Sequence, residues 1–284
     1  MAIDPKPKGV ELVHNIVLLK GKDLSEIQFQ VSRYKNEAQA LIPYSPGVAH
    51  LSLGMLYALQ GNYQKMGSHF KAAIRIMPLD PVPYYNYANS LGDFSQHNES
   101  LEVFFSLLNI TNTYKKSLVQ IISYLEFTGR FSEVFKYFES LKKFDPDNSK
   151  KDDMAKLAIR TLKKLNITEE CVTKQSKLFE SFLLSNNIKP VSAEIGIAVE
   201  EGIYYEYFLN EPIQKIEELQ EQLNDLIWEK GLSKILKNKV VIDLYPAKTS
   251  EEDDQEVDEA PQKAIPIDIN QMDRISKLIE GVEL

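Results

Sequence analysis

The fold of this chain is decided by residues 47–80, which read GVAHLSLGMLYALQGNYQKMGSHFKAAIRIMPLD. Apolar residues recur here at steps of three and four, which predicts helices that each carry one apolar stripe. Gly61 lies between the two predicted helices and permits a tight reversal of the chain. Pro78 ends the second helix because proline lacks an N–H group and disfavours helix in the residue before it. We therefore expect a helical hairpin over this stretch.

The same pattern returns at a fixed interval along the chain. Three residues spaced by 34 positions mark it: Phe70, Phe104 and Phe138. The Gly-Asn-Tyr of residues 61–63 is matched by Gly-Arg-Phe at residues 129–131. Such a period is typical of repeat architectures, in which each hairpin covers the apolar stripe of its neighbour.

These residues resemble the tetratricopeptide (TPR) family, whose 34-residue unit is a pair of antiparallel helices. The matching positions of the first unit are Leu53, Gly54, Tyr57, Gly61, Tyr63, Phe70, Ala73 and Pro78. His50 stands where the family has Trp, and Met66 stands where it has a small Ala. The second unit lacks the turn Gly and the closing Pro. The resemblance covers residues 47–148 as three units: 47–80, 81–114 and 115–148.

Helices on both sides are expected to seal the ends of this stack. Asp23 and Glu26 form a plausible capping box for a helix that ends before Pro43. Residues 9–19 fit a short helix or a strand equally well. Downstream, residues 152–165 and 168–184 predict a degenerate or capping repeat. The expected TPR-like domain therefore spans residues 1–184.

The periodicity changes after residue 185. Residues 191–210 alternate between apolar and polar positions around Glu200-Glu201-Gly202, which predicts a β-hairpin. Pro212 then opens an amphipathic helix, and residues 239–246 form the next predicted strand. The result is a small β-β-α-β module over residues 185–246, in which we recognise no known family.

The C-terminal part is expected to be a tail. Residues 247–263 hold seven acidic residues within nine positions and read as a flexible acidic linker. Residues 264–284 regain an amphipathic helical stripe: Met272, Ile275, Leu278 and Ile279. This segment binds a partner or docks on its own domain, and the sequence does not decide between the two. The fold class is thus mainly α, a TPR-like α-solenoid followed by a small α+β module and an acidic tail.

Composition and charge exclude several classes of protein. The 284 residues include 33 Lys plus Arg and 41 Asp plus Glu, so the net charge of −8 disfavours nonspecific nucleic-acid binding. Residues 1–184 carry 23 basic and 19 acidic residues, whereas residues 185–284 carry 10 and 22. The chain shows no signal peptide, and no apolar run approaches the ~18 residues needed to cross a membrane. With Cys171 as the single cysteine, we expect a reducing, cytoplasmic compartment.

Motifs that carry chemistry are scarce. The four histidines have no metal-ligand spacing: His14, His50, His69 and His97. The sequence contains no glycine-rich phosphate loop and no Gly-x-Ser-x-Gly motif. We therefore expect no metal, no cofactor and no catalytic residue, and we predict that the chain is not an enzyme.

The TPR resemblance implies a groove that is lined by the first helix of each unit and receives a peptide. Its register places nine residues there: Val48, Leu51, Met55, Val82, Tyr85, Asn89, Lys116, Val119 and Ser123. The leading hypothesis is a scaffold or adaptor that binds a protein or peptide partner. A narrower version is an inhibitor or antitoxin-like regulator that acts through its tethered C-terminal segment.

Three alternatives stay open, of which one is homo-oligomerisation through the exposed edge of the hairpin or the helix around Trp228. A second is an enzyme whose active site lies in the 185–246 module and uses Glu194, Tyr204, Glu206 and Asp243. Another part of this chain can also fill the groove. The oligomeric state and the identity of the partner are not determined by the sequence.

Overall fold

A computed structural model describes residues 5–110, 115–144, 152–199 and 201–247. The described part is mainly helical and ends in a small three-stranded sheet, as the sequence predicted. The chain forms two compact units, residues 1–117 and residues 118–284. The predicted tail beyond residue 247, with Met272, Ile275, Leu278 and Ile279, lies outside the described residues.

The first unit contains six helices arranged as three consecutive pairs. Their bounds are α1 Pro5–Val17, α2 Leu24–Leu41, α3 Pro46–Leu59, α4 Tyr63–Ile76, α5 Pro81–Asp93 and α6 His97–Ile110. The segment 9–19, which fitted a helix or a strand, is helical through Val17. Asp23 caps α2 by accepting a hydrogen bond from the backbone N–H of Ser25 at 2.7 Å.

The three pairs stack in two layers. Helices α1, α3 and α5 pack side by side, and α2 and α4 each pack against the odd-numbered helices on either side of them. Phe70 on α4 and Phe104 on α6 are fully buried, and Phe138 of the second unit is 1% exposed. The 34-residue period of the sequence therefore marks equivalent core positions, which is how stacked hairpins cover each other's apolar stripes.

The turns between paired helices share one backbone conformation. Gly61, Ser95 and Gly129 are spaced by 34 residues, and all three have a positive φ, of 70°, 54° and 72°. In each turn the next N–H bonds back to the carbonyl five residues earlier, as from Asn62 to Tyr57 at 2.9 Å. This is the Schellman pattern that ends a helix through a left-handed residue. Of these three turns, only the one at Ser95 lacks glycine, and Ser95 takes the strained conformation there.

The second unit joins four helices to the sheet. The helices are α7 Lys115–Phe127, α8 Phe131–Lys142, α9 Asp152–Leu165 and α10 Glu169–Ser185, and α7 begins within the first unit. The strands and later helices are β1 Ser192–Ala198, β2 Gly202–Leu209, α11 Ile213–Glu229, α12 Leu232–Leu236 and β3 Val240–Pro246. The predicted β-β-α-β order is confirmed, with the short α12 added after Gly231.

The sheet has the strand order β1-β2-β3, with β1 antiparallel and β3 parallel to β2. One face is apolar and buried: Ala193, Ile195, Ile203, Tyr205, Tyr207, Val240, Ile242 and Leu244. Tyr207 packs against Phe179 of α10 with the ring centres 4.4 Å apart. The Tyr205 hydroxyl donates to the Glu126 carbonyl of α7 at 3.3 Å. The alternation in the sequence therefore identified the face that is buried against helices.

A side chain of α11 satisfies the backbone of β3. Gln220 Nε2 donates to the carbonyl oxygen of Ile242 at 3.1 Å, and the Leu244 N–H donates to Gln220 Oε1 at 2.8 Å. One carboxamide therefore pairs with both groups, as a neighbouring strand does.

Within the described ranges, every helix is too short or too polar to span a lipid bilayer.

The shared turn conformation gives a test of stability. Gly61→Ala is expected to lower the free energy of unfolding by about 1 kcal/mol, because a side chain at positive φ is strained. The new Cβ meets no atom within 4 Å, so the effect isolates the backbone. Ser95→Gly is expected to raise stability by about 0.5 kcal/mol, since the relieved strain exceeds the added entropy of the unfolded chain. Urea unfolding followed by circular dichroism measures both, and effects of the same sign would contradict the assignment.

Candidate functional site

The predicted groove positions on α3 are largely covered by the chain itself. Leu51 is 3% exposed and Met55 is 9% exposed, and both belong to the core that α1 and α2 share with α3. Val48 is half-buried against α1, where a Cβ on Gly9 would lie only 2.9 Å from Val48 Cγ1. Glycine at position 9 therefore allows α1 to approach α3 closely. These three residues are therefore largely covered by neighbouring helices and offer little surface to a partner.

The predicted positions on α5 keep access to solvent. Val82 is 40% exposed, and Tyr85 and Asn89 are half-buried. The Tyr85 ring meets the buried Phe104 ring edge to face at 6.2 Å. Asn89 Nδ2 donates to the Tyr85 carbonyl at 2.8 Å. We call Val82, Tyr85 and Asn89 the α5 surface.

The start of α5 is tightly fixed. Asp80 caps the helix by accepting a hydrogen bond from the Val82 N–H at 2.9 Å, and the Tyr84 hydroxyl donates to the Pro78 carbonyl at 3.1 Å. Leu79, three residues before Val82, is 82% exposed and extends the apolar character of this end of the helix.

The three predicted positions on α7 stay a prediction. Val119 and Ser123 are half-buried and belong to the second unit. The side chain of Lys116 lies outside the described residues. The structure thus brings the α3 and α5 positions together on adjacent helices and leaves the α7 positions as a prediction.

A polar cluster that the sequence analysis missed ties α4, α5 and α6 together. The Glu99 carboxylate accepts hydrogen bonds from the Tyr63 and Tyr87 hydroxyls, each at 2.7 Å, and pairs with Lys71 Nζ at 3.2 Å. Burial raises the pKa of Glu99, but these three partners outweigh it and hold that pKa below its ordinary value. Burial and the nearby Glu99 also raise the pKa of Tyr87. We call these four residues the Glu99 clip. No residue spacing signals it, because its members come from three helices.

The half-exposed face of the sheet carries the residues of the enzyme alternative. Glu194, Glu206 and Asp243 are direct cross-strand partners on β1, β2 and β3. Tyr204 lies two positions before Glu206 and therefore shares this face. Partial burial raises the pKa of Asp243, and burial with Glu201 and Asp243 nearby raises the pKa of Tyr204. We call these four residues the acid row.

Two histidines of the first hairpin meet. His50 Nδ1 and His69 Nδ1 lie 2.9 Å apart, and the ring centres lie 5.2 Å apart, close to that distance plus two ring radii. The two nitrogens therefore point at each other and share one proton in a hydrogen bond, so their lone pairs do not converge on a metal. Within the described ranges, no three His, Cys, Asp or Glu side chains are grouped to hold a metal ion.

The comparisons with known proteins leave the family open. No protein-family model matches the chain, and a search of curated proteins found no match. The structure defines the class as a mainly helical chain of stacked hairpins with a terminal α+β module. The TPR resemblance stays a prediction that rests on the sequence period.

His97 gives a test of pH dependence. It is 3% exposed at the start of α6, and burial lowers its pKa to about 3. The unfolded chain takes up a proton near pH 6.5 that the folded chain does not, so stability falls as the pH falls from that value toward 3. Between pH 7 and pH 5 the expected loss is about 2 kcal/mol.

Urea unfolding of the wild-type chain and of His97→Gln at both pH values measures this loss. We expect His97→Gln to lose about 2 kcal/mol less than the wild type over this interval, whatever its stability at pH 7. The control His14→Gln changes an exposed histidine on α1 and is expected to keep the wild-type dependence. An unchanged dependence in His97→Gln would contradict the assignment.

Proposed function

We propose that this chain is a protein-interaction protein, a scaffold or adaptor that binds a partner peptide along the α5 surface in a reducing, cytoplasmic compartment. The observation that carries the proposal is the exposure of Val82, Tyr85 and Asn89 on a helix whose other side is buried. The TPR resemblance supports it, because the family's peptide-binding helices occupy this register.

The chemistry of the α5 surface suits an apolar peptide. Val82 and the neighbouring Leu79 offer aliphatic contacts, and Tyr85 adds an aromatic anchor of the type that dominates binding hot spots. Asn89 uses its Nδ2 on the Tyr85 carbonyl, while its Oδ1 accepts no hydrogen bond from the described residues. That oxygen is suited to accept a peptide N–H and so to set the register of a bound segment.

Rigidity of the surface favours affinity. The Asp80 cap fixes the first turn of α5, and the Glu99 clip fixes Tyr87 on the opposite side of the helix from Tyr85. A helix held in its binding conformation loses little conformational entropy when a partner binds. The Tyr85 ring is likewise already placed against Phe104.

The test is an affinity-tag capture of the partner in the native host, with crosslinking to locate it. Val82→Glu combined with Tyr85→Ala is expected to weaken capture at least tenfold, since a buried aromatic anchor contributes about 1–2 kcal/mol or more. A photoreactive phenylalanine analogue at position 82 is expected to crosslink to the captured protein. Leu51→Glu is unsuitable, because it would bury a charge in the core.

Phe29→Ala provides the matched control. Phe29 is 77% exposed on α2, so this variant also removes an exposed apolar side chain from the first unit. It is expected to keep capture, and a photoreactive analogue at position 29 is expected not to crosslink. Equal capture by the wild type and the double variant would contradict the proposal, provided that the double variant keeps its melting temperature.

The inhibitor version of the proposal is tested in the same experiment. A chain truncated after Ala247 keeps β3 and its hydrogen bond from the Ala247 N–H to the Leu209 carbonyl. A partner that the full-length chain captures and the truncated chain loses would make the C-terminal segment the binding element.

A second candidate function, an enzyme centred on the acid row, is favoured by the alignment of Glu194, Glu206 and Asp243 across the three strands. A carboxyl group with a raised pKa, such as that of Asp243, suits general acid catalysis. The combined variant Glu194→Gln, Glu206→Gln, Asp243→Asn and Tyr204→Phe tests this candidate. Full function in the native host with this variant would exclude it.

A further inference from the structure

Two lysines converge on one tyrosine ring in the first unit. Lys35 Nζ of α2 lies 4.2 Å from the centre of the Tyr57 ring, and Lys65 Nζ of α4 lies 5.4 Å from it. The two ammonium groups are therefore at most about 10 Å apart, which is close to the screening length of about 8 Å in physiological salt. Tyr57 is 9% exposed, Lys35 is half-buried and Lys65 is exposed, so cation–π attraction to the ring places both ammonium groups at the surface of this hairpin.

The histidine pair lies on the same ring. His69 stacks on Tyr57 with ring centres 5.3 Å apart and planes 13° apart, and His50 bonds to His69 through Nδ1. Because one Nδ1 donates and the other accepts, the accepting ring carries its proton on Nε2. One additional proton on the neutral pair would protonate Nε2 of the donating ring, so that both rings would present an outward N–H donor. Three basic side chains thus contact the Tyr57 ring, and the fourth, His50, joins them through its hydrogen bond with His69.

No carboxylate of the described residues pairs with Lys35 or Lys65. The lysine of the Glu99 clip, in contrast, has a carboxylate partner. Lys71 Nζ lies 5.9 Å from the centre of the Tyr87 ring and 3.2 Å from the Glu99 carboxylate. Beside Tyr87, the positive charge of Lys71 is neutralised by Glu99 of the same chain. Beside Tyr57, the charges of Lys35 and Lys65 can instead be neutralised by an anionic ligand.

We propose that Lys35, Lys65 and the His50–His69 pair form a binding site for a phosphate-type oxyanion, supplied as inorganic phosphate or as a phosphomonoester. Two ammonium groups with up to two imidazole N–H donors match the charge of a dianion better than that of one carboxylate. The site lies on α2, α3 and α4 and is independent of the α5 surface.

Binding of an anion at this site is linked to protons. Burial lowers the pKa of His69, and the charges that add to this are His50 of α3, Lys35 of α2 and Lys65 of its own helix. Tyr57 of α3 stacks on the imidazole. A dianion beside His69 opposes these positive charges and favours the protonated pair. Affinity for a dianion of constant charge therefore rises as the pH falls.

The probe is inorganic phosphate, added to the full-length chain with isotope-labelled histidine at constant ionic strength and pH 7.5. The chain has four histidines, so the imidazole spectrum reports His50 and His69 while His14 and His97 serve as internal controls. Saturable shifts are expected for His50 and His69 alone. O-phosphoserine added in the same way distinguishes the two sources, because tighter binding assigns the site to an esterified phosphate.

Substitutions test which groups hold the anion. Lys35→Gln and Lys65→Gln are each expected to weaken phosphate binding at least about tenfold, the effect of one charge-assisted hydrogen bond. Lys136→Gln is the matched control, because Lys136 of α8 also lies over a tyrosine ring, 5.1 Å from the centre of Tyr137, away from the His50–His69 pair. It is expected to leave phosphate affinity within about twofold.

Sulfate serves for the pH dependence, since it stays a dianion between pH 6.0 and pH 7.5. Sulfate affinity is expected to rise at pH 6.0 in the wild type and to change less in His69→Gln. The proposal is overturned if His50 and His69 show no saturable shift, if Lys35→Gln and Lys65→Gln bind as the wild type does, or if acetate binds as tightly as phosphate. Unchanged melting temperatures of the variants exclude unfolding as the cause of lost binding.

Discussion

Each helical hairpin in this chain carries more apolar surface than its two helices can bury between themselves, and this constraint governs the structure. The apolar stripe is covered only when a second hairpin stacks beside the first in the same relative orientation. That orientation depends on one residue with a left-handed backbone conformation in each turn, at positions 61, 95 and 129. Because those turns are alike, Phe70 and Phe104 reach equivalent buried sites on successive hairpins. The backbone geometry of the turns therefore determines how the core between successive hairpins packs.

The polar groups of the first unit follow from that stacking. Stacked hairpins bring α4, α5 and α6 together, and the buried hydroxyls of Tyr63 and Tyr87 then need an acceptor, which Glu99 supplies. At the preceding hairpin the buried ring of Tyr57 is met by basic side chains without a carboxylate. Both clusters place lysines over a tyrosine ring. In the Glu99 clip a carboxylate of the same chain neutralises the lysine, whereas the cluster at Tyr57 keeps an excess of positive charge that suits an external anion.

Much of the fold follows from the sequence because it depends on periodicity. The 34-residue spacing predicted the stacked hairpins, and the alternation around residues 195 and 205 predicted the buried face of the sheet. The candidate site was harder to predict. The repeat register assigns residues to groove positions, but it does not show which neighbouring helices cover those residues. Leu51 and Met55 match groove positions, yet α1 packs beside α3 and they are buried. The Glu99 clip and the Tyr57 cluster each join side chains from three helices, so no local pattern in the sequence predicts either of them.

The carboxamide of Gln220 gives the sheet a defined end. By taking up the Ile242 carbonyl and the Leu244 N–H, it occupies two backbone groups through which β3 would otherwise recruit an additional strand. Gln175 of α10 acts in the same way, because its Nε2 donates to the Val240 carbonyl at 3.1 Å on the same edge of β3. Lateral addition of a strand at β3, the geometry of amyloid assembly, is therefore opposed by two glutamine side chains that take part in neither candidate site.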